Sequence, residues 1–320
     1  MHLNTEDLEL NTYYNIEEYK ATKKAVVTIG TFDGVHQGHQ KILDRVVSRA
    51  KTEGLTSVLL TFFPHPRMVL QPDHDLKLIN TIEERVELVA NQGVENVVIH
   101  PFSKEFSRTT AYDYVKNILV DQLSAKVVVI GYDHRFGINR SASIEELKEF
   151  AALFDFEVIE ISKKEVQEVA VSSTKIRKTL LSGEIEKTNN YLNRDFSISG
   201  IVKSGKKIGR TIGYPTANLH IDEVYKLIPA AGVYVTSSFI NNKRVYGMTN
   251  IGTNPTVSDE AQQTIETYYI DFNEDLYNRK MELFFHKRLR SEEKFKDLED
   301  LVAAMKKDEQ KARSYAQQPR

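Results

Sequence analysis

Ala25–Arg49, AVVTIGTFDGVHQGHQKILDRVVSR, decides how the rest of the chain is read. Its first five residues, Ala25-Val26-Val27-Thr28-Ile29, are the continuous apolar, β-branched run that a strand buried on both faces requires. Gly30-Thr31-Phe32-Asp33-Gly34 turns the chain, and from Gln37 onward Ile42, Leu43, Val46, Val47 and Ala50 recur at helical spacing. A strand that passes through a glycine turn into a helix gathers backbone N–H groups and the positive end of a helix dipole where an anion binds. His36 and His39 stand at that handover, spaced so that both imidazoles fall on one face. Gly38 between them keeps a Cβ out of the path of an approaching phosphate. Two imidazole donors beside a helix N-terminus suit a polyphosphate and the charge that grows on phosphorus during displacement. The same pair also suits two surface histidines on a helix start. A Walker A loop would end in Lys and Ser/Thr, and this turn has neither.

Outward from that stretch the alternation continues. Ser57–Phe63, Val94–Ile99, Lys126–Gly131 and Phe156–Ile161 read as strands. Thr81–Gln92, Thr109–Leu123 (with Tyr112, Val115, Ile118 and Leu119 as its apolar face) and Ser143–Phe154 read as helices. Ser143 with Glu146 forms a capping-box signature. Strands alternating with helices predict a doubly wound parallel sheet, whose ligands bind beyond the carboxyl ends of its strands where strand order reverses. The glycine or proline loops after Ile29, Phe63 and Ile130 all leave such ends, so they are expected to converge on one crevice. Ser172-Ser173-Thr174 opens a further helix, with Ile176, Leu180 and Leu181 facing inward. Hydroxyls there suit either a simple N-cap or, with the guanidinium of Arg177, a phosphate clamp. Ser172 with Lys175 also matches the S-x-x-K pattern of acyl-enzyme serines, which nothing else in the chain supports.

Beyond Phe196 the pattern becomes β, and the boundary is placed near Glu186, giving domains 1–185 and 186–320. Ser197–Lys203, Gly232–Ile240, Lys243–Asn250, Thr264–Phe272 and Lys280–Arg290 are short strands without intervening helices, which predicts a closed antiparallel barrel. Asn241-Asn242 is a hairpin signal, because Asn tolerates positive φ. Ser291–Ala316 reads as a long charged helix with Phe295, Leu298, Leu301, Val302 and Met305 as its buried stripe. Gly200–Lys206 imitates the opening of a P-loop, but Lys207 stands where Ser/Thr would hold magnesium, and no helix follows. Gly205–Gly213 (GKKIGRTIG) reads equally as a solvated loop or as a basic phosphate lid of another kind. In Pro215-Thr216-Ala217-Asn218, the hydroxyl and the carboxamide two residues apart on an extended chain point to one side. They are oxygen donors suited to Mg²⁺ completed by substrate phosphates.

Composition bounds the rest. The 320 residues allow two domains of ordinary size, and 41% hydrophobic with 28% charged residues is globular. A net charge of −2 gives no electrostatic case for nucleic acid. No apolar run approaches a membrane span, the acidic start MHLNTEDLEL has no signal-peptide pattern, and the absence of Cys excludes disulfides. A cytoplasmic protein without membrane partners is expected, as a monomer or weak homo-oligomer.

The motifs resemble a known family in order along nearly the whole chain. GTFDGVHQGHQ is similar to the HxGH signature of prokaryotic FAD synthetases, and the likeness runs on through TFFPHP (Thr61–Pro66), GYDHRFG (Gly131–Gly137) and VSSTKIR (Val171–Arg177). GRTIGYPTANL (Gly209–Leu219), GVYV (Gly232–Val235), NIGTNPT (Asn250–Thr256) and IETYYIDFNEDLYN (Ile265–Asn278) then resemble riboflavin kinase. The resemblance implies a bifunctional enzyme that phosphorylates riboflavin to FMN and adenylylates FMN to FAD, with ATP as co-substrate and Mg²⁺ as metal. In a second reading one activity is lost and its domain serves as a flavin or nucleotide sensor.

For the adenylyltransferase the resemblance implies His36 and His39 as catalytic. Gly30, Thr31, Phe32, Asp33, Gly38, Asp133, Ser172, Ser173, Thr174 and Arg177 would hold the nucleotide, and His65, Pro66 and Arg67 the flavin. For the kinase it implies Glu266 as the base that takes the proton of the riboflavin 5′-hydroxyl. Gly205, Lys207, Gly209, Arg210, Gly213, Thr216 and Asn218 would hold the nucleotide, Thr216 and Asn218 the metal, and Asn250 and Arg290 the flavin. The chain departs from the family pattern at His134 (usually Phe), Tyr214 (usually Phe), Asn254 (usually Arg, so a positive charge is lost) and Asn278 (usually Gly).

Overall fold

The computed structural model describes residues 10–162, 165, 171–205, 208–254 and 262–318. The chain divides into two compact units, Met1–Ser173 and Thr174–Arg320.

The first unit is a six-stranded sheet of β1 (Asn11–Tyr13), β2 (Ala25–Ile29), β3 (Thr56–Phe62), β4 (Asn96–His100), β5 (Ala125–Gly131) and β6 (Glu157–Ile161). All pairings are parallel, in the order β1-β4-β3-β2-β5-β6. The chain builds β3 and β4 on one side of β2 and then returns to its other side for β5 and β6. Strand order therefore reverses at the β2–β5 pair, where such sheets open a ligand crevice. All five residues of β2 are buried. Ala25, Val27 and Ile29 join a core with Val58, Leu60, Val115 and Leu147, while Val26 packs on the opposite face against Val46 and Ala50. Burial of each Val, Leu or Ile side chain among these contributes about 1.5–3 kcal/mol.

The helices are α1 (Gln37–Glu53), α2 (Pro66–Leu70), α3 (Ile82–Ala90) and α4 (Ile144–Phe154). The capping box expected before α4 is present, with Ser143 N–H donating to Glu146 Oε2 at 2.9 Å and Glu146 N–H to Ser143 Oγ at 3.5 Å. The helix expected over 109–123 takes a different form: one α-turn, Ala111–Asp113, then a π-helix over Tyr114–Gln122. Its wider turn brings Lys116 and Asp121, five residues apart, into an ion pair of 2.5 Å. Gln122 at its end donates to the carbonyls of Ile16 and Tyr19. The short edge strand β1 had no signal in the sequence.

The second unit is a closed antiparallel barrel of β7 (Phe196–Lys203), β8 (Ala217–His220), β9 (Gly232–Ile240), β10 (Lys243–Asn254), β11 (Gln262–Tyr269) and β12 (Lys280–Arg290), in the order β10-β11-β8-β7-β12-β9. Asn241 and Asn242 make the β9–β10 turn at φ 49° and 60°, as their chemistry predicts. Asn278 adopts φ 62°, a left-handed form that Asn tolerates.

Helices α5 (Ser173–Ser182), α6 (Ile185–Leu192) and α7 (Leu298–Ala316) accompany the barrel, and one helical turn, Ile208–Thr211, follows the glycine loop where no helix was expected. In α5 the inward residues are Ile176, Thr179 and Leu180, whereas Leu181, expected inside, is 61% exposed. Thr179 is buried because its hydroxyl pairs with that of Thr188 on α6 at 2.7 Å. The terminal helix also differs from expectation. It starts at Leu298, which is 55% exposed, and its most buried positions are Asp308 and Ala312. Asp308 is inside because Arg290 Nε reaches it at 2.8 Å.

Candidate active sites

In the first unit α1 begins at the carboxyl end of β2. His36 is its N-cap: backbone extended, Nδ1 accepting the N–H of His39 at 3.3 Å. Use of Nδ1 as an acceptor puts the proton of the neutral ring on Nε2, which makes that edge a donor. The His36 and His39 rings are stacked, 3.7 Å between centroids and 13° from parallel, and Phe32 lies against His39 at 4.7 Å. The turn that delivers them is strained. Phe32 and the β-branched Val35 hold φ 45° and 36°, and Gly34 holds 91° with Ile79 Cδ1 2.9 Å from where a Cβ would sit. Such strain at a strand-to-helix junction persists only where the surroundings over-determine it.

Asp33 is what over-determines it. Its carboxylate is fully buried and accepts the N–H groups of Ile79 (3.0 and 3.1 Å) and Asn80 (3.2 Å), with Arg85 Nη2 at 3.8 Å. Expected to hold nucleotide, the Asp33 side chain instead fastens the turn from within. Its carbonyl accepts the Ser173 hydroxyl at 2.9 Å, which brings Ser173 to the same turn. Thr61 at the end of β3 donates to Thr31 O at 3.3 Å and faces Arg85 Nη1 at 3.5 Å. Arg85 escaped the sequence reading, since in IEERVEL it looks like an outward helix position, yet it is 1% exposed.

The other loops of this rim gather at the same end of the sheet. His65 caps α2, its Nδ1 accepting Arg67 N–H at 3.1 Å, while Pro66 is half-buried and Arg67 exposed. The Phe63 N–H donates to His100 O at 3.2 Å, beside the end of β4. After β5, a Cβ on Gly131 would stand 3.7 Å from Ile42 of α1, and Asp133 is exposed. His134 stacks on Phe136 at 6.1 Å, and burial, reinforced by Arg140, pushes its imidazole down to about 4. It is a neutral ring at pH 7, like the Phe usual there. Ser172 is half-buried, and Thr174 and Arg177 belong to the second unit.

In the barrel, register builds the site. Asn250, Glu266, Asn218 and Lys203 are successive partners across β10, β11, β8 and β7, so their side chains share one face. Ile265 and Thr267, which flank Glu266, are buried, so alternation places this row on the barrel's outer surface. Thr216 donates its hydroxyl to Glu266 Oε2 at 3.2 Å. A Cβ on Gly205 would lie 2.5 Å from the Asn218 carboxamide, so the glycine loop passes directly over that residue. A cleft of 410 Å³ adjoins Thr216 and is lined by Ala217, Thr267 and Tyr269, from the opposite face of these strands, with Leu276 and Tyr277 among others. Arg210 reaches across its mouth to the Tyr277 hydroxyl at 3.3 Å.

Gly209 closes a turn by accepting the Tyr214 N–H at 2.8 Å, and Gly213 holds φ 81°. Lys207 lies outside the described residues. Asn250 is exposed. Arg290, expected at the flavin, spends its guanidinium on Asp308 and Ser291 O and lies over the Phe295 ring at 5.4 Å. Lys203, Thr267 and Tyr277 were not singled out in the sequence. Only register and the closed barrel bring them here.

The donors fit a hard cation at one place. Thr216 and Asn218 supply hydroxyl and carboxamide oxygen beside a carboxylate. Among the described residues no cluster of three His, Cys, Asp or Glu offers an alternative.

Fold and site define a two-part transferase, with a nucleotidyltransferase-type sheet followed by a kinase-type barrel. The FAD synthetase family matches residues 18–175 and the riboflavin kinase family residues 192–316. A bifunctional riboflavin kinase/FMN adenylyltransferase of Buchnera aphidicola is 37% identical over 300 residues, covering 92% of this chain and 95% of the relative. That of Listeria monocytogenes is 36% identical, covering 91% and 92%. A crystal structure from Streptococcus pneumoniae, described as a macrolide-efflux protein, is 32% identical and superposes with TM-score 0.84 over 94% of this chain and 98% of that one. Among the described residues no helix is long and apolar enough to cross a membrane. The chain belongs to the family of bifunctional riboflavin kinases/FMN adenylyltransferases.

Proposed function

We propose that this chain makes FAD in two steps, each at its own site. In the barrel, riboflavin's 5′-hydroxyl attacks the γ-phosphorus of ATP, Glu266 takes the hydroxyl proton, and FMN and ADP leave. Thr216 holds the carboxylate in place through its hydrogen bond, and the loop over Gly205–Gly213 covers the phosphates. Thr216 and Asn218 would hold Mg²⁺, which when bound supplies charge compensation to the transferring phosphoryl group. Asn250 and Arg290 are assigned to the flavin. In the first unit, an FMN phosphate oxygen attacks the α-phosphorus of a second ATP and the bond to pyrophosphate breaks. His36 and His39 stabilise the charge that develops, with Gly30, Gly38, Asp133, Ser172 and Ser173 around the nucleotide and His65, Pro66 and Arg67 toward the flavin. Thr174 and Arg177 are proposed for phosphate on the resemblance alone.

For function the chain is divided at 185/186, in the first turn of α6. It works in the cytoplasm as a monomer or weak homo-oligomer. One observation carries the reading: each set of catalytic residues, the stacked His36 and His39 and the Thr216-bonded Glu266, is assembled within a single compact unit.

The test is to incubate purified protein with riboflavin, ATP and Mg²⁺ and to separate the flavins. FMN followed by FAD is expected. FMN alone, FAD only from added FMN, or no product would each overturn the two-step reading.

A further inference from the structure

Tyr214 stands at the joint of the kinase site. Its N–H closes the Gly209–Tyr214 turn, and its C-terminal neighbours are Pro215 and Thr216. The approach is tight: a Cβ on Gly209 would stand 2.1 Å from the Tyr214 carbonyl oxygen. The ring is buried, 4.9 Å from Tyr268 in an edge-to-face contact, in a cluster with Val233, Met248 and Met305. Tyr268 lies two residues from Glu266 on one strand, and so on the same face of it. Packing alone would be satisfied by Phe, the residue usual in the family.

The hydroxyl adds something further. It donates to Glu309 Oε2 of α7 at 3.0 Å. The other oxygen of Glu309 accepts from Arg313 Nε at 3.0 Å and Nη2 at 2.8 Å. Arg313 in turn grips both oxygens of Asp271, just beyond β11, at 2.6 and 2.8 Å. Burial and the neighbouring Glu309 push the Tyr214 phenol up to about 12, so it stays a donor at any working pH. A hydrogen bond to a charged acceptor is about twice as strong as a neutral one.

We infer that Tyr214 and Glu309 are positioning residues for the kinase: their hydrogen bond ties the Thr216 segment to the terminal helix and sets how readily the site accepts ATP. This rests on the kinase reading above. With the tie cut, the loop spends only part of its time in the arrangement that presents Thr216 to nucleotide. Apparent affinity falls by that fraction, and saturating ATP restores it. The effect belongs in KM, not in kcat.

The experiment measures riboflavin phosphorylation by the full chain carrying Tyr214→Phe, Glu309→Ala, both together, or Glu309→Gln. Thermal melts establish that each variant is folded at the assay temperature. Tyr214→Phe and Glu309→Ala are expected to raise the KM for ATP by roughly three- to tenfold with kcat within about twofold. The double variant should be no worse than Glu309→Ala, because that change already removes the bond that Tyr214→Phe removes. Glu309→Gln keeps an oxygen acceptor and should return KM toward wild type. FMN adenylylation in the same preparations should not change. A wild-type KM in Tyr214→Phe, or two effects that multiply, would overturn the inference while leaving the kinase reading intact. Failure of the wild-type chain to phosphorylate riboflavin would instead remove the reading beneath it.

Discussion

Thr216 gives its hydroxyl hydrogen to Glu266 across the β8–β11 pair, 3.2 Å from oxygen to oxygen. The carboxylate is thereby held on a face it shares with Asn218 and Asn250, half-buried and still open to a substrate hydroxyl. Glu266→Gln keeps the shape and the acceptor for Thr216 but cannot take a proton. FMN formation should fall by roughly a hundred- to ten-thousandfold, while FAD formation from added FMN continues. Flavin separation after a timed incubation reads both. Loss of both activities would contradict separate sites.

His39→Ala should do the converse, lowering FAD formation by roughly a hundred- to a thousandfold and sparing FMN formation. His36 needs a subtler exchange, because it also caps α1. His36→Ala should lose activity and about 0.5–2 kcal/mol of stability together. His36→Asn keeps a capping side chain and should lose activity alone. Melting curves beside adenylylation rates separate the two.

Gly205→Ala introduces a methyl 2.5 Å from the Asn218 carboxamide. That side chain is short, so it must turn away from its row. Kinase activity should fall by about a hundredfold, the scale of an ångström's misplacement at a reacting centre. Adenylylation and the melting temperature of the first unit should stay as they are. A fully active variant would remove Asn218 from the site.

Asp33→Ala strips three backbone hydrogen bonds at Ile79 and Asn80 and leaves Arg85 buried without its carboxylate. Removal of one partner of such a pair costs about 3–5 kcal/mol. The first unit should melt well below the second in calorimetry.

Acid should weaken the first unit through His134. Its imidazole titrates at about 4 in the fold against 6.5 when free, so between those values the unfolded chain binds more protons. The His134 contribution is complete above pH 6.5, declines as pH falls toward 4, and changes no further below that. His134→Phe should flatten the dependence of melting temperature on pH across this window. An unchanged slope would show that other groups govern it.

Much of this molecule was legible in the chain. Strands announce themselves as Val/Ile-rich runs or as apolar–polar alternation, and β2, β9 and β12 fall where these patterns put them. Ser143 and Glu146 declared a cap, and Asn241-Asn242 a hairpin. These signals are local, because a turn or a strand is settled by neighbours a few residues away. The residues whose surroundings the sequence did not show are those whose partners are distant. Arg290 has the look of a ligand-binding cation, and its match lies 18 residues on, at Asp308. Leu181 and Leu298 obey helical periodicity yet face solvent, since the stripe that docks is chosen by what it docks against.

By itself the sequence determined the alternation that makes a parallel sheet, the change to a barrel after Phe196, and the chemical types available at each rim. Tertiary structure alone decided which of those groups remain available to a substrate. Asp33 finds its partners 46 residues away and turns inward, while Glu266 lands beside Thr216 because β8 and β11 are neighbours in a closed barrel. The physical reason is that a side chain's role depends on the partners that reach it, and partners brought together by long-range strand pairing leave no trace in the spacing of residues along the chain.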